Sequence, residues 1–155
     1  MGLVMNMKEN KFKKTESSLY NYNSLDTKIK NIEIDIENLE NDITVRAISF
    51  EEKSSPTHKI TSSVEDEVIR REEYIQEQIC ILKAKKKYYS DLKIKIQSSL
   101  QQLSENEYKL VKLRYLSGRN KKSWIEIGQE LGFDKDYCKK IRTGVINYLS
   151  ELIYP

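Results

Sequence analysis

Leu25, Ile29, Ile32, Ile36, Leu39 and Ile43 follow one another at alternating steps of four and three residues. A strand repeats its buried side every second residue, so this pattern belongs to a helix with one apolar seam. Leu19 and Tyr22 extend the seam backwards, and no Pro or Gly interrupts residues 8–55. The spacing predicts one helix over about 15–47, ~50 Å long. Glu33, Asp35, Glu40 and Asp42 flank the seam and make the helix acidic beside its core. Residues 1–14 show no comparable pattern and are expected to form a flexible tail.

The seam fails at Arg46, and the Ser-, Thr- and Pro56-containing stretch that follows breaks both periods, predicting a loop over about 48–62. His58 falls in this loop and reads as an exposed side chain, not a ligand or base. Ser62 with Glu65 has the spacing of a capping box and opens a second long helix. Its stripe is Val68, Ile75, Ile79, Leu82, Tyr89, Leu92, Ile96, Leu100 and Leu103, with Lys83–Lys87 as a basic flank. An acidic and a basic helix of similar length predict an antiparallel coiled-coil hairpin over 15–103. Pairing of either seam with a second copy of the chain stays open. A two-helix core is thin, so a homodimer is expected to add burial.

Two further capping boxes, Ser104 with Glu107 and Ser123 with Glu126, mark the starts of short helices. Leu110, Val111, Leu113 and Tyr115 supply the buried side of the first, which Gly118 ends. Ile127 and Leu131 share a face of the second, and Gly132 stops it, because the left-handed backbone that ends many helices is cheap only for glycine. Asp134 can cap a third helix with the stripe Cys138, Ile141, Val145, Tyr148/Leu149 and Leu152. Gly128 keeps bulk low where two helices would meet steeply. Residues 104–155 are therefore expected to be a three-helix helix-turn-helix domain plugged by Trp124 and Phe133. The predicted class is all-α. The last helix turns Lys135, Lys139, Lys140 and Thr143 away from its stripe, as a helix that enters a DNA groove must.

Composition narrows the function. Charged residues reach 33% against 38% hydrophobic, a balance suited to long solvated helices. Residues 104–155 hold ten Lys/Arg and seven Asp/Glu, which is the whole net charge of +3. That asymmetry suits a polyanionic partner. Cys80 and Cys138 lack partners at metal spacing and read as reduced packing residues. No Gly-rich phosphate loop, metal-ligand cluster or catalytic constellation is visible, so neither an enzyme nor a cofactor is expected. The start of the chain lacks the pattern of a signal peptide or of myristoylation, and no run is long and apolar enough for a membrane. A cytoplasmic protein is expected.

Leu113-Arg114-Tyr115, Gly118, Ile125-Glu126-Ile127-Gly128 and Leu131-Gly132 resemble the fourth region of sigma-70-type RNA polymerase sigma factors over about 103–152. With the stretches at 62–72 and 123–133, the whole chain resembles phage-encoded regulators of the ArpU and RinA type from low-GC Gram-positive hosts. The heavy use of Lys, Asn and Ile suits an AT-rich genome. The resemblance implies control of late phage genes by binding double-stranded promoter DNA inside a bacterial cell, with host RNA polymerase as a further partner. It places residues 135–143 in the major groove. Lys135, Lys139, Lys140 and Thr143 are then expected to face bases, and Arg119, Lys121, Lys122 and Arg142 to contact phosphates. Asp134 and Asp136 depart from the sigma pattern; near phosphates they repel, although Asp136 can accept a hydrogen bond from cytosine. Gly144 stands where that pattern has Ala. With coiled coil in place of a promoter-melting region, the chain is not expected to be a complete sigma factor. The competing readings are a small terminase-type packaging subunit and a polymerase-docking protein that never touches DNA.

Overall fold

The structure, a computed structural model, describes residues 2–53 and 62–155. Among these every regular element is helical: α1 (Gly2–Tyr20), α2 (Leu25–Lys53), α3 (Ser62–Leu100), α4 (Glu105–Arg114), α5 (Trp124–Leu131) and α6 (Lys135–Ile153), with single 3₁₀ turns at Tyr22–Ser24 and Gly118–Asn120. None of these helices is long and apolar enough to cross a membrane. The chain divides into two compact units, Met1–Leu25 with Ser90–Pro155, and Asp26–Tyr89. Sequence spacing put the division at residue 104 and left the first residues outside both.

The first difference lies at the start. Residues expected as a tail are helical from Gly2, and the long helix expected over 15–47 is two helices, broken at 21–24. The break needs no Pro or Gly. The Asn21 side-chain amide donates to the Ser17 carbonyl at 2.8 Å, and the Ser24 hydroxyl donates to the Asn21 carbonyl at 2.7 Å. Side chains that bond the nearby backbone offer it an alternative to continuing the helix. The second difference is that α2 runs on to Lys53, through the first part of the expected loop; the rest of that loop, with Pro56 and His58, lies outside the described residues. Ser62 is the first residue of α3.

In the Asp26–Tyr89 unit, Ile32 and Ile36 of α2 pack with Ile75 and Ile79 of α3, and Leu39, Ile43, Leu82 and Tyr89 border them. The seam read from the sequence is thus the one buried. Lys28 lies over the Tyr89 ring, Glu33 pairs with Lys86 at 2.8 Å and Glu40 with Lys83 at 3.4 Å. Partner numbers fall along α3 as they rise along α2, so the two run antiparallel. Both ion pairs are well exposed and contribute little. Apolar burial holds the pair.

The other unit is built on α6. Leu110, Ile127 and Cys138 form the centre between α4, α5 and α6, with Leu113, Trp124, Leu131, Phe133 and Ile141 around it. Burial and the nearby Asp134 push the Cys138 thiol upward in pKa, which keeps it protonated and inert. Trp124 and Phe133 are only half-buried; the large side chain at the centre of the unit is Tyr115, 1% exposed. α6 is buried on two sides, not one. Ile146, Ser150 and Ile153 are buried beside the expected stripe, because α1 packs along α6 with Thr15 and Leu19 fully covered. Tyr148 and Leu152, expected inside, are exposed instead.

Candidate nucleic-acid interface

The turn between α5 and α6 fixes how α6 is presented. The Ser123 hydroxyl accepts from the Glu126 amide and the Glu126 carboxylate accepts from the Ser123 amide, closing the capping box at the start of α5. These bonds, first the one from the Ser123 amide, hold the Glu126 carboxyl below its usual pKa. Gly132 adopts φ +73°, and Phe133 N donates to the Gly128 carbonyl at 3.0 Å. The chain therefore reverses within three residues, and Asp134 caps α6 by accepting from the Asp136 amide at 3.2 Å. A Cβ on Gly128 would sit 2.6 Å from the Phe133 carbonyl oxygen. Only a residue without one lets the turn close this tightly against α5.

Upstream, the Arg114 guanidinium donates to the Lys122 carbonyl at 2.9 Å and stacks on Trp124, with 4.8 Å from Cζ to the ring centroid. Arg114 thereby ties the loop after α4 to the start of α5.

On α6, Lys135, Asp136, Lys139, Lys140 and Thr143 are all exposed, while Cys138, Val145, Ile146 and Leu149 are buried. Lys135, Lys139 and Lys140 form no ion pair among the described residues. The Thr143 hydroxyl donates to the Lys139 carbonyl at 3.1 Å. Asp136, Tyr137, Lys139, Lys140 and Thr143 border a shallow open depression. Tyr137, outside the expected set, is exposed and packs edge-on against Phe133 at 5.1 Å. Its position after the Asp134 cap was the signal for it.

The four expected phosphate contacts separate. Arg119 is exposed, and so is Lys121, whose ammonium lies 5.4 Å from the centre of the Tyr20 ring. Lys122 is half-buried and bonded to Glu130, which raises its pKa. Arg142 is not available. Its Nε donates to Glu16 at 3.0 Å and to the Tyr115 hydroxyl at 3.1 Å, and the Tyr115 hydroxyl donates to Glu16 at 2.6 Å. Arg142 sits on the side of α6 that α1 covers, so the expectation for it fails for the same reason as the expected tail. In exchange α1 brings Lys8 and Lys11 beside Asn147 and Glu151, along the exposed side of α6. Phe12, Thr15 and Leu19 at steps of three and four were the available signal for α1; Thr15 disguised it.

Gly144 is exposed, and a Cβ there would meet nothing within 4 Å. Gly144→Ala is expected to raise unfolding stability by about 1 kcal/mol, the helix propensity difference, in urea titration. No gain would mean that α6 depends on a glycine backbone at this point. Among the described residues no cluster of His, Cys, Asp or Glu could hold a metal ion. The outward face of α6 is a row of cations unpaired among the described residues, with hydroxyl and carboxylate groups between them, a set that can bind phosphates and base edges. No family model, curated protein or solved structure matches this chain.

Proposed function

We propose that the chain is a sequence-specific DNA-binding transcriptional regulator of the phage ArpU/RinA type, in which α2 and α3 are a coiled-coil hairpin and α5–turn–α6 is a helix-turn-helix. The observation that carries this reading is the free face of α6: Lys135, Lys139, Lys140 and Thr143 exposed on a helix whose other sides are buried. A helix held rigidly on two sides and bare on the third suits insertion into a major groove. Lys135, Lys139, Lys140 and Thr143 are the groove residues, with Asp136 and Tyr137 beside them. Arg119 and Lys121, with Lys8 and Lys11, are the phosphate contacts; Arg142 positions α6 from behind.

Selection of bound fragments from the parent genome, followed by gel shift on the best one, tests this. Lys139→Ala with Lys140→Ala is expected to weaken binding to the selected site about 30-fold. Arg119→Ala or Lys121→Ala weakens binding to all sequences alike and reduces the salt slope by about 1. Unchanged binding in the α6 double variant overturns the assignment. Selection of a packaging site in place of a promoter supports the terminase reading. Failure to bind any DNA at low salt leaves protein docking as the use of this face.

A further inference from the structure

Three large apolar side chains on α3 stand in water at a strict spacing of seven: Tyr74, Ile81 and Tyr88, 60%, 53% and 53% exposed. Residues seven apart stay on one face of a helix, drifting by only ~20° per heptad. Ile75 and Ile79, buried against α2, and half-buried Leu82 lie about 100–160° away around the helix. α3 therefore carries a second seam that its own hairpin does not use. Charge along the helix is divided. Residues 65–77 hold six acidic and two basic side chains, whereas residues 83–87 hold four lysines and no acid. Glu77 and Lys85, next to the second seam, are exposed and unpaired among the described residues.

We infer that this seam pairs α3 with α3 of a second copy, antiparallel, about a two-fold axis at Ile81. In that register Tyr74 meets Tyr88 of the other copy, Ile81 meets its own equivalent, and Glu77 faces Lys85 twice. The acidic half of each helix lies on the basic half of the other. A parallel pair would set Glu77 against Glu77 and Lys85 against Lys85, so charge selects the antiparallel arrangement. The interface is self-complementary, as a two-fold contact has to be. Tyr88 is held in place by edge-on contact with Tyr89 at 5.6 Å. The inference is independent of DNA binding.

The purified chain, without DNA, is expected to sediment as a dimer at micromolar concentration. Ile81→Asp is expected to raise the dimer dissociation constant by at least about 100-fold, since the axis brings two new carboxylates together. Circular dichroism checks that the variant remains helical. Glu77→Lys weakens the dimer, and adding Lys85→Glu restores it. In a Cys80→Ser background, Ile81→Cys forms an inter-chain disulfide under mild oxidation, because residues on the axis lie within the ~7 Å that a disulfide spans. A monomer at these concentrations, a dimer indifferent to Ile81→Asp, or the absence of rescue by the double charge reversal overturns the proposal.

Discussion

Replacing Gly128 with valine should cost about 4 kcal/mol of unfolding free energy, and replacing it with alanine about 2 kcal/mol. The position is helical, where alanine normally stabilises by about 1 kcal/mol. Here the added Cβ would lie 2.6 Å from the Phe133 carbonyl oxygen and 3.6 Å from the Lys135 amide nitrogen. The nearest obstacle is backbone within the turn, not the end of a mobile side chain. Relief requires moving the turn, and with it the Asp134 cap and the start of α6. Urea titration of Gly128→Ala and Gly144→Ala in parallel separates packing from propensity. The same change loses stability at the first site and gains it at the second. Wild-type stability in Gly128→Ala would mean that the turn yields freely and does not set the position of α6.

Removing Glu16 has the next largest effect. Glu16→Ala takes the common acceptor from both the Arg142 guanidinium and the Tyr115 hydroxyl. A half-buried guanidinium stripped of its carboxylate is left partly desolvated; a fully buried pair broken this way costs about 3–5 kcal/mol, and its partial exposure brings the expected loss to about 2–3 kcal/mol. Since α1 is held on α6 partly through this group, residues 2–20 should also become sensitive to limited proteolysis. The node carries an alkaline signature. Burial, then the bond to Glu16, pushes the Tyr115 hydroxyl well above the usual tyrosine value, and the bond from Arg142 only partly opposes this. The folded chain keeps that proton where the unfolded chain releases it. This group's contribution is therefore full below pH ~10 and falls above it, by up to about 1.4 kcal/mol per pH unit. Tyr115→Phe should abolish that part of the alkaline slope. An unaltered slope in the variant would assign it to another group.

The parts of the fold governed by local chemistry were readable in advance. Two capping boxes, the Gly132 stop and the Asp134 cap lie where residue spacing puts them, because each involves groups a few residues apart. The α2 seam was readable because its apolar residues keep strict heptad steps. What could not be read was long-range. Glu16 and Arg142 are 126 residues apart, and nothing in either neighbourhood announces the other. One missed helix, α1, therefore produced three errors: the tail, the single buried stripe on α6, and a phosphate role for Arg142. Asn21 and Ser24 break the helix through side-chain bonds to nearby backbone, which the absence of Pro and Gly does not reveal.

The clasp of α1 on α6 also sets an order of events during synthesis. Ser18 and Tyr154, whose hydroxyls lie 2.6 Å apart, are separated by 136 residues. α1 leaves the ribosome with an apolar flank and no mate, and waits for the segment that carries Tyr154, 136 residues after Ser18, to be translated. Contacts of such span are slow to form and leave the nascent flank open to chaperones or to misassociation. The lysine face of α6 would thus gain its rigid backing late, after the Asp26–Tyr89 unit has had time to form.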